Sequence, residues 1–322
     1  MTLKRWLLLL LLPGCPTLSY AVTCSVSNVQ SINFGSVNPL AGPGATSAMT
    51  FNYSCTKELG DALAGINLCF NIGASSVSGQ IATRAMALSG TPASTLAYQL
   101  YQDVGYSKIW GSQYQSGTTF PMVQLSLLNL TPVTGSLTVF ARLTTPQTAA
   151  VPGSYQDSYT PATALVTLNP GLLFPPTTCG DTVAARLPFN VSATVTKQCN
   201  ISYANNITFN PAQATQRNLT AQAALGVACS NNTPYTIGLQ PSNGNTAGSG
   251  ALAGTGTNQD KVPYQLSSTP GPSGTAWGNT AINNVAGTGT GASRDYPVYA
   301  TVPSANYTPD NYADTVTVAV TY

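Results

Sequence analysis

The sequence predicts an all-β protein of two tandem immunoglobulin-like antiparallel β-sandwiches, the second lacking its last strand. Three observations point there. One set of landmark residues occurs twice, in the same order and at near-equal spacing. Runs rich in Val, Thr and Tyr, which favour strands, alternate with clusters of Gly, Pro, Asn and Ser, which favour turns. Only 6% of the 322 residues are charged, yet 43% are aliphatic, aromatic, Met or Cys, enough for packed cores. That balance excludes a charge-driven disordered chain and a coiled coil.

The elements follow in chain order. Lys4 and Arg5 precede the apolar run Trp6 to Leu12, Pro13 breaks it, and Ser19-Tyr20-Ala21 puts small residues at −3 and −1. Residues 1–21 therefore read as a secretory signal peptide cleaved after Ala21. The run is far shorter than the ~20 residues a membrane span needs. Lipidation at Cys15 is an alternative that Pro13 fits badly. Cleavage removes Lys4 and Arg5, leaving nine basic and nine acidic residues and a formally neutral mature chain.

Six cysteines remain: Cys24, Cys55, Cys69, Cys179, Cys199 and Cys229. An even count in an exported chain reads as three disulfides, with some fifteen connectivities open. The repeat narrows them. Cys24 to Cys55 is a step of 31 residues and Cys199 to Cys229 a step of 30. Asn71-Ile72-Gly73 is matched by Thr236-Ile237-Gly238, and Tyr98-Gln99-Leu100 by Tyr264-Gln265-Leu266. Trp110-Gly111 is matched by Trp277-Gly278, and Val139-Phe140-Ala141 by Val298-Tyr299-Ala300. Tyr155 and Tyr307 each precede the ends of alternating strands, Leu168 and Val320, by 13 residues. The mature chain thus divides into domains 22–185 and 186–322. In each half the first two cysteines would staple the first two strands, as Cys24–Cys55 and Cys199–Cys229. Cys69 and Cys179 then bridge within the first half. A closed loop of ~30 residues adds roughly 3–4 kcal/mol if chain entropy dominates.

Thr315 to Tyr322 alternates strictly, the period-2 mark of a half-buried strand. The helix-like windows are short and Ala-rich, around Ala212 to Leu225.

Several function classes fall away. The chain has no His, which removes the commonest general base and metal ligand. No C-x-x-C pair occurs, so neither zinc nor another metal is expected, and no cofactor is implied. Glu58 is the single Glu, so no Glu pair exists for glycoside chemistry, and Asp310 and Asp314 read as structural. Basic residues are scattered, which argues against nucleic acid. The chain is not expected to be an enzyme.

The order Cys, Cys, Tyr-x-Leu, Trp-Gly and a final alternating strand ending in Tyr resembles the spore coat protein U domain, the pilin unit of archaic chaperone–usher pili. Two such domains in one exported chain resemble the tip adhesin of a Csu-type pilus. The resemblance covers nearly all of residues 22–322 and is strongest over Val191 to Tyr322. It implies a fibre-tip position at the cell surface, reached through the periplasm. It also implies a periplasmic chaperone, an outer-membrane usher and an adjacent pilin as partners. Major pilins of this family carry an N-terminal extension that donates a strand. Here cleavage after Ala21 would leave Val22 and Thr23 before Cys24, nothing to donate, in keeping with a tip.

The two halves differ at their ends. After Ala164 to Leu168 the first half has some 20 more residues, including Thr182-Val183-Ala184, to supply a last strand. The corresponding strand of the second half ends at Tyr322, so Val316, Val318, Val320 and Tyr322 are expected to edge a groove for a donated strand.

Landmark spacing also locates insertions in the first half. Cys55 to Gly73 exceeds Cys229 to Gly238 by nine residues, placing an insertion within Thr56 to Ile66. Others fall in 120–130, in 145–153 and in the tail from Gly171 to Pro176. They are apolar, against the habit of loops. Csu-type adhesins are known for apolar finger loops that bind hydrophobic and abiotic surfaces. The resemblance assigns Leu59, Ala62, Leu63, Ala64, Ile66, Leu127, Leu128, Leu130, Leu172, Leu173 and Phe174 to such fingers. Val123, Leu125 and Leu127 also alternate like a core strand, which leaves the 120–130 stretch open between finger and core. The 145–153 insertion is expected at the opposite pole, near the second domain. The expected function is attachment to hydrophobic surfaces and biofilm formation. The alternative is a lectin-like adhesin reading a glycan through Tyr, Trp, Asn and Gln.

Overall fold

A computed structural model describes residues 22–42, 44–59, 65–172 and 174–322. The expected leader, 1–21, lies outside them. The described residues contain strands and turns and no helix. The Ala-rich window around 212–225 leads into a strand, because its alternating apolar positions pair along a sheet rather than along a helix face.

Twelve strands build the first unit: β1 (Val22–Ser27), β2 (Ile32–Val37), β3 (Thr46–Lys57), β4 (Gly65–Ile72), β5 (Arg84–Leu88), β6 (Thr91–Tyr101), β7 (Met122–Ser126), β8 (Val133–Leu143), β9 (Gly153–Tyr159), β10 (Ala164–Gly171), β11 (Thr182–Arg186) and β12 (Phe189–Val195). They form an eight-stranded sheet, β1-β3-β8-β6-β5-β9-β12-β2, facing a four-stranded sheet, β11-β10-β4-β7. All pairs are antiparallel except β12 with β2. Between the sheets lies one apolar core that includes Phe51, Phe70, Trp110 and Leu187. β4 is buried on both faces. Its outer face is covered by residues 175–179, where Asn67 Nδ2 donates to Thr178 O at 3.0 Å, and by the 112–113 turn, where Asn71 Oδ1 accepts from Gln113 N at 2.7 Å.

The second unit repeats the plan with β13 (Cys199–Ala204), β14 (Arg217–Cys229), β15 (Pro234–Pro241), β16 (Ser249–Ala253), β17 (Lys261–Ser267), β18 (Val285–Thr288), β19 (Ser293–Ser304) and β20 (Val316–Thr321). Their sheets run β13-β14-β19-β17-β16 and β18-β15-β20. A separate apolar cluster around Trp277 fills this sandwich. The disulfides are Cys24–Cys55, Cys69–Cys179 and Cys199–Cys229, as the repeat requires. In each half the first bridge joins directly opposed residues of the first paired strands.

Hydrogen bonds fix the correspondence of the halves and correct two landmarks. Trp110 Nε1 donates to Phe70 O and Trp277 Nε1 to Ile237 O, both at 2.9 Å. Phe70 therefore matches Ile237, and Ile72 matches Leu239, two residues from the Ile-Gly alignment. A shift of two preserves which side chains face the core, so alternation alone hides it. The insertion before β4 is accordingly shorter by two residues than the spacing suggested. The second correction concerns Tyr307. Tyr155 Oη donates to Val151 O and Tyr312 Oη to Thr308 O, both at 2.7 Å and both four residues back. Tyr312 is thus the counterpart of Tyr155, and these are tyrosine corners of the kind found in immunoglobulin-like sandwiches.

The boundary is also later than 185/186. Thr182–Arg186 does supply a last strand, β11, but the chain then crosses sheets at Leu187-Pro188 and continues as β12 between β9 and β2. Leu187, Phe189, Val191, Ala193 and Val195 all point into the first core, so the first unit runs to Val195.

Candidate functional site

Two features stand out, one in each unit. The first is a loop cluster. Gly65, Ser126 and Gly171 sit in one row across β10, β4 and β7, because Gly65 faces both of the others. The described residues 58–59, 127–132, 172 and 174–181 flank the strand ends at this row. β11 and β12 run from this row towards the linker at 196–198, so the row lies at the pole opposite the linker. Gly65 leaves room for the ring of Pro175, which a Cβ would strike. Gln124 Nε2 donates to Pro176 O at 2.9 Å, and Asn169 Nδ2 donates to Thr178 O at 3.0 Å. With Cys69–Cys179 these bonds root the third loop on the sheet.

Apolar side chains stand out from this base. Leu59 is 87% exposed, Leu128 72% and Phe174 80%, while Leu130 and Leu172 are about half exposed. Five exposed apolar groups of this size on the segments that flank these strand ends are more than single scattered residues on a soluble surface. Two expected finger residues are not fingers. Ile66 is 0% exposed, the second residue of β4, and Leu127 is 1% exposed just past β7. Both fall at the first inward-facing position beside the loop, where the sandwich closes its core. Ala62, Leu63, Ala64 and Leu173 lie outside the described residues. The 145–153 segment lies at the other pole, where Asn231 Nδ2 donates to Ala149 O at 2.9 Å.

The second feature is a groove of about 910 Å³ in the second unit. Leu225, Leu239, Leu266 and Val298 form its floor, with Val316 and Val318 beside them. One wall is the segment 204–212, the other 305–314. Val320 packs on the second core and Tyr322 is half exposed, so of the four expected edge residues Val316 and Val318 reach the groove itself. β20 pairs with β15 on one side, and no described residue pairs with its other edge. The groove walls, 204–212 and 305–314, were not identified in the sequence. The signal was the recurrence of Ile32-x-Phe34 as Ile207-x-Phe209, eight residues after the first cysteine of each half.

Polar groups hold the second wall. Asp310 accepts from Thr255 N at 2.7 Å, from Thr255 Oγ1 and from Asn258 Nδ2. The Thr255 hydroxyl, then Asn258, hold its carboxyl well below the usual carboxylate range. Tyr264 Oη donates to Asp314 Oδ2 at 2.6 Å, and burial, then this bond, push the phenol up. Both aspartates therefore fasten the wall. Among the described residues no group of His, Cys, Asp or Glu is placed to hold a metal.

The family model described as Spore Coat Protein U domain matches residues 15–161 and 185–319. Among solved structures, the chain is similar to a chain of the chaperone–tip adhesion subunit pre-assembly complex, CsuC–CsuE, from archaic chaperone–usher Csu pili of Acinetobacter baumannii. That match has 18% identity and a TM-score of 0.53, covering 93% of this chain and 100% of that one. A further match is the CupB6 tip adhesin from Pseudomonas aeruginosa, at 13% identity and a TM-score of 0.40, covering 94% and 96%. No curated protein matches the sequence.

Proposed function

The chain belongs to the spore coat protein U domain family, with one domain in each half, and on that premise we propose that it is the tip subunit of an archaic chaperone–usher pilus that attaches to hydrophobic and abiotic surfaces and promotes biofilm formation. It is an adhesive protein and not an enzyme. The observation that carries the reading is the row Gly65, Ser126 and Gly171, which brings three loops with exposed Leu59, Leu128, Leu130, Leu172 and Phe174 to the pole opposite the linker. Removing these apolar side chains from water is favourable, non-directional and indifferent to surface chemistry.

The groove of the second unit supports the other half of the reading. An apolar groove beside an unpaired strand edge accepts a strand from another chain by β-augmentation. A periplasmic chaperone fills it first, and the N-terminal extension of the adjacent pilin replaces the chaperone at the outer-membrane usher. The protein is exported through the periplasm and ends at the cell surface on the fibre tip. Display of the assembled fibre on polystyrene, against panels of immobilised glycans, tests the adhesive role. Retention on plastic that survives high salt and is released by non-ionic detergent supports it; glycan-selective retention would instead make the chain a lectin.

A further inference from the structure

One surface cluster belongs to neither the loop row nor the groove, and we propose that Tyr101, Tyr106, Phe140 and Arg142 form a binding site for a carboxylate-bearing glycan on the flank of the first unit. The cluster lies on the outer face of the eight-stranded sheet. Val139 and Ala141 are fully buried, so Phe140 and Arg142, which alternate with them along β8, point outwards. Leu100 is buried too, which turns Tyr101 outwards beside Phe140, its direct partner across β6 and β8.

The loop 102–108 brings Tyr106 onto this face. Its ring meets that of Tyr101 edge to face, with centroids 5.4 Å apart and planes at 80°. The Arg142 guanidinium lies over the Tyr106 ring, 5.5 Å from its centroid. Tyr106 has a φ of 54°, a left-handed conformation that is costly for a bulky residue. Asp103 offsets that cost by holding the loop. Its carboxylate accepts from Lys108 N at 2.7 Å, from Ser107 Oγ at 2.9 Å and from Ser107 N at 3.1 Å. These bonds, the Ser107 amide first, keep the carboxyl below the usual carboxylate range. Asp103 is thus engaged inside the loop. Among the described residues no carboxylate pairs with Arg142, and neither Tyr101 Oη nor Tyr106 Oη makes a hydrogen bond.

The second unit shows what the fold itself needs at these positions. Tyr101 bridges Ile109 at the base of the loop as Ser267 bridges Ala276. Gln99 faces Arg142 as Gln265 faces Thr301. Tyr101 therefore matches Ser267 and Arg142 matches Thr301, and residues 268–275 include neither an aromatic nor a charged side chain. The second sandwich closes without the tyrosine pair and the arginine, so closing the sheet does not account for them.

The chemistry fits one class of ligand. A guanidinium presents five donors in a planar fork that matches a carboxylate, and stacking on an aromatic face fixes its position. A pyranose ring has an apolar C–H face for the aromatic surface and hydroxyls for the two phenols. Uronic and sialic acids carry the carboxylate and that ring together. Residues 22–322 hold nine basic and nine acidic side chains, so there is no excess positive charge to gather polyanions in general, and recognition rests on the local fork.

The test measures retention of the full chain on immobilised polygalacturonate, with dextran as the neutral surface and dextran sulfate as the sulfated one. Retention on polygalacturonate should exceed that on dextran at least about tenfold at ~0.05 M salt and fall as salt rises to ~0.5 M. Arg142→Gln and Tyr106→Ser should each lower it at least about tenfold. Lys261→Gln, an exposed charge of the second unit, should leave it unchanged. Arg142→Lys keeps the charge without the fork and should fall between the parent and Arg142→Gln, which decides the matter should the Gln variant fail to fold. The site is separate from the loop row, so adsorption to polystyrene and the melting temperature should stay at the parent's values in all folded variants. Equal retention on dextran, equal retention by Arg142→Gln or by Arg142→Lys, or an equal loss in Lys261→Gln would overturn the proposal. Stronger retention on dextran sulfate than on polygalacturonate would overturn the carboxylate assignment.

Discussion

Leu59, Leu128 and Phe174 stand on three different segments and, among the described residues there, are the most exposed apolar side chains. Replacing all three with Ser tests whether the pole attaches by hydrophobic contact. Fully burying a side chain of this kind yields ~1.5–3 kcal/mol, and a flat surface covers roughly half of it, leaving about 1 kcal/mol for each. Three together lose about 3 kcal/mol, and at ~1.4 kcal/mol per tenfold this weakens a single attachment by about two orders of magnitude. Many pili engaging together amplify the loss. Folding should be untouched, because these side chains already face water and exposed substitutions stay within about 0.5 kcal/mol. Ile66→Ser and Leu127→Ser are the contrast: both sites are buried, so each should cost on the order of 2–4 kcal/mol of stability. Adsorption to polystyrene, measured from about 0.05 to 0.5 M salt with thermal unfolding in parallel, reads both effects. Adhesion by the triple variant equal to the parent, with the same melting temperature, would refute attachment through these loops. A large loss of stability in the triple variant would show that the loops belong to the core.

Three further outcomes follow from specific contacts. Replacing Cys69 and Cys179 with Ser opens a loop of 110 residues, which should lower stability by up to ~4–5 kcal/mol and raise protease cutting at 171–181 more than elsewhere. Asp310 and Asp260 are held below the ordinary carboxylate range, the first by Thr255 and the second by the Thr308 amide. Their folded pKa values are depressed, so their stabilisation is complete above the unfolded value near ~4 and is lost as pH falls through the folded values. Asp310→Asn should flatten that acid limb in urea titrations, and an unchanged limb would count against the contact. Burial pushes Tyr159 and Tyr235 up to about 12. Their stabilisation is full below the unfolded value of ~10 and disappears as pH rises towards the folded one, so alkaline unfolding should begin above pH ~10 and be eased by Tyr235→Phe.

Much of this architecture was legible in the residues, because sandwiches are written in local alternation and in cysteine spacing. The repeat, the all-β class and the three bridges follow from Cys24 to Cys229, the two Trp-Gly pairs and the Tyr-x-Leu strands. What alternation cannot carry is absolute register. A slip of two residues keeps every side chain on its face, so the match of Ile72 to Leu239 needed the indole hydrogen bonds. Tyr307 and Tyr312 are chemically identical candidates; the bond from Tyr312 to Thr308 O separates them, as does the Tyr-x-Asp shared by Tyr155-Asp157 and Tyr312-Asp314, which equal spacing to the strand end overrode. Composition likewise cannot tell an apolar loop tip from the first inward residue of a strand. Leu59 and Ile66 are alike in polarity, yet one faces water and the other the core, because pairing between β4 and β10 begins at Gly65. The end of the first unit at Val195 and the groove walls at 204–212 and 305–314 were decided by tertiary structure too. Strands join partners more than a hundred residues away, as β12 joins β2, and a distant partner leaves no local mark on the sequence it pairs with.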